Sequence, residues 1–203
     1  MLSAARPLSE VSFPEFTGTQ IYMKRMRAAV AHLAVPQAYR ALVRRMLFDA
    51  SIENDQVVWL TIDESHVKKG KKHRRGGAHV DGCYEVADWG GGDGPSGWLN
   101  GVPGRMLSPE DQRRSYENQN GGMIIASNFE ACRVWLGEVE GVAGLGGDCE
   151  HLRDQFDGLD SSMMEANRAY LTNSTCIHES LPLTKSFKRQ LVRITLSENY
   201  QYN

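Results

Sequence analysis

The sequence predicts an α+β protein in which a β-sandwich or barrel-like core is supported by helices near the N-terminus. Helical periodicity is concentrated in residues 20–48 and mostly disappears after them. Most of the other apolar residues fall in short runs rich in β-branched and aromatic side chains, and glycine-rich stretches separate these runs. Many short strands joined by glycine-containing loops, with the helices at one end of the chain, are typical of sandwiches and barrels.

Size and composition favour one soluble domain spanning residues 1–203. A chain of this length buries a sizeable core, and its net charge of −2 gives no global indication of a nucleic-acid or membrane protein. No apolar run approaches the length of a membrane span, and the first residues lack the pattern of a secretory leader. The four scattered cysteines are therefore expected to be free thiols in a reducing, cytoplasmic compartment.

The N-terminal part is predicted to be an extended arm (residues 1–18) followed by two helices (residues 20–48). One apolar stripe suits the first helix: Ile21, Met26, Ala29, Val30 and Leu33. A second stripe suits the next helix: Leu42, Met46 and Leu47. Pro36 fits the first turn of this second helix, where its missing N–H is not needed.

The core is predicted to occupy residues 55–197 and to contain short strands. The predicted strands are Gln56–Ile62, Gly122–Ala126, Arg133–Val139, Arg168–Ile177 and Gln190–Leu196. Ser127–Glu130 is predicted to be a hairpin turn, and Asp148 is predicted to cap a helix over Cys149–Phe156. Residues 82–104 are predicted to form a long glycine-rich loop, and loops of that length in compact domains are usually functional or disordered.

His79 and Asp81 are the most informative residues of the core. Their i, i+2 spacing places both side chains on the same side of an extended segment. One further ligand would complete a two-histidine, one-carboxylate triad, which leaves positions open on a metal. A His-x-Asp triplet is common by chance, so it indicates a metal site only if the rest of the chain supplies the further ligand. His178 is the best candidate, because alternation places it with Cys176 on one face of a strand end.

The run Lys188–Leu196, which includes the last predicted strand, is expected to be extended, and alternation along it gives Arg189 and Arg193 a shared face with Thr195. Two buried arginines without partners would be costly. They become favourable if an anion binds between them, because a guanidinium binds a carboxylate through two parallel hydrogen bonds.

The ordered set His79, Asp81, His178 and Arg189 resembles the Fe(II)/2-oxoglutarate-dependent dioxygenases. That family has His-x-Asp, a distant His, and then an Arg on the last core strand of a double-stranded β-helix. The Arg189-x-x-x-Arg193 spacing looks most like the taurine- and phytanoyl-type branches, and the resemblance covers residues 55–197.

The resemblance implies a jelly-roll core and a defined site. His79, Asp81 and His178 would hold Fe(II). Arg189 would pair with the distal carboxylate of the cosubstrate 2-oxoglutarate, and Arg193 would assist it or contact the substrate. With O₂, the cosubstrate would be decarboxylated to succinate while an unidentified substrate is hydroxylated.

The run Lys68–Arg75 is the strongest local charge feature, and it immediately precedes the His79–Asp81 pair. It would suit a clamp for a phosphate-bearing or nucleic-acid substrate, or else a solvated loop. No aromatic residue interrupts the run, so a stacking platform for single strands is not indicated. Tyr84, Trp89 and Trp98 in the following loop would form a lid or anchor the loop itself.

Two other hypotheses remain at this point. A cupin-type metal protein would use His79, Asp81 and Glu85 with Gly92, although Asp81 replaces the expected histidine and Arg189 would have no role. A non-catalytic jelly roll in an assembly or virion would retain only an inherited pocket. Its N-terminal arm and its tail, residues 198–203, would suit contacts in a homo-oligomer.

Overall fold

Two mostly antiparallel sheets face each other in the part of the chain that the structure describes, an arrangement compatible with a jelly roll. The structure is a computed structural model that describes residues 1–81, 121–197 and 200–202, together with Glu110 and Glu117. The predicted loop at 82–104 lies outside the described residues, and with it Tyr84, Glu85, Trp89, Gly92 and Trp98.

The described secondary structure consists mainly of strands. They are β1 (Leu2–Ser3), β2 (Ala5–Glu10), β3 (Gln20–Arg27), β4 (Val57–Val67), β5 (Gly122–Ser127), β6 (Cys132–Glu138), β7 (Asp160–Met163), β8 (Arg168–Asn173), β9 (Ile177–Ser180) and β10 (Phe187–Leu196). The helices are α1 (Ala28–Ala31) and α2 (Arg40–Asp49), with 3-10 turns at Gln37–Tyr39, Leu145–Gly147 and Glu150–Gly158. No helix among the described residues is long and apolar enough to cross a membrane.

The larger sheet has the order β2-β8-β5-β10-β4-β3, and the smaller sheet is built on β6, which pairs with β1, β7 and β9. A bridge between His79 and His178 adds the segment around residue 79 to the smaller sheet. From β4 onward the chain therefore moves repeatedly between the two sheets. These crossings bring residues that are distant in sequence to the space between the sheets.

The predicted strands of the core are confirmed in outline, but one connection is wrong. Ser127–Glu130 is not a hairpin turn, because β5 and β6 lie in different sheets. β5 already pairs with β8 on one side and with β10 on the other, so it has no free edge for β6. The predicted strand Arg168–Ile177 is also interrupted: β8 ends at Asn173 and β9 begins at Ile177.

The first predicted helix is wrong over most of its length, because residues 20–27 form β3. Ile21 faces Ile62 and Lys24 faces Leu60, so β3 contains one extra residue between these pairs. This bulge includes Met23, whose φ is 48°. The extra residue puts Ile21 and Met26, which are five residues apart, on the same face, and this breaks the two-residue alternation by which a strand is recognised.

The second predicted helix is confirmed as α2, which follows a 3-10 turn that begins directly after Pro36. Its buried residues Leu42, Val43 and Met46 share one hydrophobic cluster with the apolar residues on the outer face of the larger sheet. The predicted cap is wrong: the later helix is a 3-10 helix that begins at Glu150, and no side chain caps it.

The predicted N-terminal arm contributes a strand to each sheet: β1 pairs with β6 in the smaller sheet, and β2 pairs with β8 in the larger one. Residues 14–19 are also tied to the larger sheet, through the buried carboxylate of Glu64 on β4. Its Oε2 accepts the backbone N–H groups of Thr17 and Thr19 at 2.8 and 2.7 Å. Its Oε1 accepts Gln190 Nε2 at 2.7 Å and the Tyr39 hydroxyl. The segment is therefore held by one carboxylate that satisfies several donors at once.

Candidate metal centre

His79 and His178 lie side by side in the smaller sheet, on segments that run antiparallel. Their backbones exchange both hydrogen bonds, His79 N–H to His178 O at 3.0 Å and His178 N–H to His79 O at 2.9 Å. Their ring centroids are 4.4 Å apart, and each residue is only 5% exposed. The pairing of the two segments thus fixes the two imidazoles as neighbours.

On its other side, the segment that carries His79 is held by the glycine-rich stretch that ends at Gly147. Val80 N–H donates to Gly147 O at 2.8 Å, and Cys149 N–H donates to Ala78 O at 2.9 Å. Gly147 has a φ of 81°, and a Cβ there would lie 2.1 Å from Val80 O. Only glycine fits this close approach, so Gly147 allows the backbone to support the His79 segment.

Each imidazole is oriented by a backbone carbonyl. His79 Nδ1 lies 2.7 Å from Gly77 O, and His178 Nδ1 lies 3.0 Å from Cys176 O. Because a carbonyl only accepts, each Nδ1 must carry the hydrogen and donate it. Each Nε2 then keeps its lone pair, which is the arrangement that metal-binding histidines commonly show.

Asp81 completes a cluster of three metal-capable residues. Its Oδ2 lies 3.7 Å from His178 Nε2, and the ligand atoms of His79, Asp81 and His178 all lie within 4.8 Å of one another. The three residues that the sequence selects as ligands are thus brought together, and this cluster could hold a metal ion.

The electrostatics of the cluster favour the protonation states that a metal requires. Burial, together with the nearby His178, lowers the pKa of His79 to about 4, so its ring is neutral at neutral pH. Burial alone would raise the pKa of Asp81. The guanidinium of Arg193 and the two imidazoles outweigh that effect and hold the pKa well below its usual range.

Arg193 and Arg189 both face the space between the sheets, as alternation along the last strand predicts. Arg193 Nη1 lies 2.6 Å from Asp81 Oδ2, and its Nη2 donates to Met23 Sδ at 3.5 Å. Arg193 thus orients the carboxylate of the candidate metal ligand.

Arg189 is 1% exposed and has a different environment. Its Nε donates to Ser127 Oγ at 3.2 Å and its Nη1 to Ser180 Oγ at 3.5 Å. Within the described ranges, no carboxylate forms an ion pair with it, and burial lowers its pKa. Since an arginine remains charged in proteins, this is a buried cation whose polar contacts are two hydroxyl groups.

One cavity of about 210 Å³ joins these groups. The three metal-capable residues, Arg189 and Arg193 line it together with Arg74, Arg75, Glu165 and Arg168. Most of the remaining wall is apolar, including Ile125, Phe129, Met164, Tyr170 and Leu191. A metal ion and a small organic anion would therefore share a space bounded mostly by apolar groups.

Among the residues that line this cavity, sequence reasoning did not select Met23, Ser127 and Ser180. Arg74 belongs to the basic run that the sequence places beside the His79–Asp81 pair. Ser180 lies two residues beyond His178 on β9, so alternation could have identified it. Met23 was assigned to a helix, and its position depends on the bulge in β3. The described cysteines Cys132, Cys149 and Cys176 are buried free thiols, as expected. Burial raises the pKa of both Cys132 and Cys149 to about 12, which disfavours the thiolate form.

Comparison with known proteins adds no relative: no family model, no curated protein sequence and no solved structure matches this chain.

Proposed function

We propose that this protein is an Fe(II)/2-oxoglutarate-dependent oxygenase that hydroxylates a substrate still to be identified. The observation that carries the proposal is Arg189. It is a fully buried guanidinium without a carboxylate partner among the described residues, and it lines the same cavity as the His79, Asp81 and His178 cluster. A protein that only bound a metal would have no use for this buried charge.

The order of the strands supports the proposal. From β4 to β10 the chain alternates between two facing sheets, which is the arrangement expected of a double-stranded β-helix. In that fold the dioxygenases carry the distant histidine and the arginine on the last two core strands. Here His178 lies on β9 and Arg189 lies on β10.

The donor set fits a divalent iron. Two imidazoles and one carboxylate leave coordination positions open, as in non-haem Fe(II) oxygenases. When bound, Fe(II) would supply the activation of O₂. His79 and His178 would bind it through Nε2 and Asp81 through its carboxylate, which Arg193 orients. Arg189, positioned by Ser127 and Ser180, would bind the distal carboxylate of 2-oxoglutarate.

The proposal predicts that Arg189→Gln weakens the binding of 2-oxoglutarate to the Fe(II)-loaded protein by about 100-fold. Removing one member of a buried charge pair costs several kcal/mol, and 100-fold corresponds to ~2.7 kcal/mol. Anaerobic calorimetry measures this change. The affinity for Fe(II) alone should stay unchanged, because Arg189 forms no ion pair with the carboxylate of Asp81, as Arg193 does.

Arg168→Gln is the matched control, since Arg168 lines the same cavity but already pairs with Glu165 at 3.1 Å. It should leave the 2-oxoglutarate affinity within a few-fold of the wild type. Equal affinity in the wild type and in Arg189→Gln would remove the main support for the proposed cosubstrate.

The two other hypotheses receive less support from the structure. The assembly hypothesis relied on an extended N-terminal arm, but residues 5–10 pair with β8 of the same chain. The cupin hypothesis gives Arg189 no role. Its further residues, Glu85 and Gly92, lie outside the described ranges.

A further inference from the structure

The basic run at residues 68–75 is attached to the protein along most of its length. Gly70 N–H donates to Leu183 O at 2.8 Å, and Leu183 N–H donates to Lys71 O at 3.0 Å. Arg74 N–H donates to Ser180 Oγ at 3.4 Å. The run therefore follows the chain that leaves β9, and its position relative to His178 is defined.

This attachment gives the run two different faces. Its four lysines, Lys68, Lys69, Lys71 and Lys72, are exposed. His73 and Arg74 turn inward to the Asp63 carboxylate on β4, each at 3.0 Å. The cationic groups are thus divided between the solvent and the neighbourhood of the candidate metal centre.

Arg74 and Arg75 of the run both line the cavity, and Arg74 is the less exposed of the two. Its side chain is 29% exposed, its Nη1 donates to Asp63 Oδ2, and its guanidinium lies 6.0 Å from the ring centroid of Tyr22. It lines the same cavity as His79, Asp81 and His178. A guanidinium held by a carboxylate and an aromatic ring loses little freedom when it binds a ligand.

Asp63 is in turn held in place by its own donors. Gln20 Nε2 and Ser65 Oγ donate to its Oδ1 at 3.0 and 2.9 Å. A fixed carboxylate therefore holds one N–H of Arg74, while a guanidinium offers five donors in a planar fork. The other donors suit an oxyanion at the cavity.

The cavity already provides a separate cationic partner for two anionic groups. Asp81 pairs with Arg193, and the proposed function assigns the distal carboxylate of 2-oxoglutarate to Arg189. Two further arginines line the cavity: Arg168 pairs with Glu165, and the half-exposed Arg75 donates to Gly146 O. Arg74 therefore remains as the cationic group for a second ligand. From this geometry we propose that Arg74 binds an anionic group of the substrate, a carboxylate, sulfonate or phosphate, with Asp63 as its positioning residue.

The inference rests on the proposed function and makes the substrate an organic anion that enters the cavity. A polyanion such as a nucleic acid would instead engage the exposed lysines of the run, which point to the solvent. A small organic anion and a polyanion are therefore distinguished by the residues that their binding requires: Arg74 for the first and the exposed lysines for the second.

The test uses inorganic phosphate as the probe and follows its ³¹P line width with Mn(II)-loaded protein saturated with 2-oxoglutarate. Mn(II) is paramagnetic, so phosphate bound in the cavity is broadened. Arg74→Gln is expected to weaken the phosphate affinity at least about 10-fold, and Arg74→Lys is expected to recover part of the loss. Lys71→Gln and Lys72→Gln, which remove cations on the exposed face, are expected to leave the affinity unchanged.

Two outcomes would overturn the inference. One is an unchanged phosphate affinity in Arg74→Gln, with thermal unfolding showing that the variant is folded. The other is a loss in the lysine variants as large as in Arg74→Gln, as expected for a polyanion on the outer face. If 2-oxoglutarate does not bind, the proposed function fails. The same titration with Mn(II) alone then still shows whether phosphate depends on Arg74.

Discussion

His178→Ala is expected to weaken the affinity for Fe(II) or Mn(II) by more than about 100-fold, because removing a direct ligand should cost more than the 10–100-fold typical of outer-shell partners. His178 is buried, its Nδ1 is committed to Cys176 O, and its Nε2 lies 3.7 Å from Asp81 Oδ2. The described residues offer no other cluster of three metal-capable groups. Anaerobic calorimetry with either metal measures the loss.

Two further variants make this result specific. Asp81→Asn keeps the shape of the side chain but removes its charge, so it should lose affinity to a similar degree. His66→Ala removes an exposed histidine outside the cluster and should bind metal like the wild type. Equal affinity in His178→Ala and the wild type would show that the metal does not use this cluster.

The second large effect is expected at Glu64, where Glu64→Ala should lower the free energy of unfolding by about 3–5 kcal/mol. Glu64 is 3% exposed. Without its carboxylate, the Tyr39 hydroxyl, the Gln190 amide and two backbone N–H groups of residues 17 and 19 lose an acceptor. Urea unfolding measures the change, and Glu53→Ala at an exposed position should stay within about 0.5 kcal/mol of the wild type. A similarly small effect of Glu64→Ala would contradict this account.

The same carboxylate gives a pH dependence of known sign. Burial alone would raise the pKa of Glu64. Hydrogen bonds from Tyr39, Gln190 and the backbone of residues 17 and 19 outweigh that effect, so the folded pKa lies below the usual value of 4.5. The stabilisation by Glu64 is therefore present above that value and is lost as the pH falls through the folded pKa. The contribution of Glu64 is the difference between the wild type and Glu64→Gln in how the free energy of unfolding changes with pH.

Local pattern was sufficient to predict the five core strands in outline and the shared face of Arg189 and Arg193. The order His79, Asp81 and His178 was sufficient to select the cluster. The reason is physical: side chains alternate along a strand whatever its neighbours are. Wherever a β-strand is correctly identified, the side of each residue follows from its number.

The errors arose where distant parts of the chain decide the structure. The bulge at Met23 breaks the two-residue apolar alternation of β3, and the pairing with β4 determines that the segment is a strand. The crossing from β5 to β6 depends on which strands already occupy the edges of β5. The position of Arg74 depends on Asp63 and Ser180, and no local pattern links these three residues.

The central claim is that the metal cluster and Arg189 act together on 2-oxoglutarate. The most direct measurement is succinate formation from 2-oxoglutarate under air, with Fe(II)-loaded wild-type protein, His178→Ala and Arg189→Gln in parallel. The account predicts succinate above background for the wild type, dependent on Fe(II) and O₂, and only background for both variants. Wild-type protein that binds Fe(II) and 2-oxoglutarate but forms no more succinate than His178→Ala would contradict it.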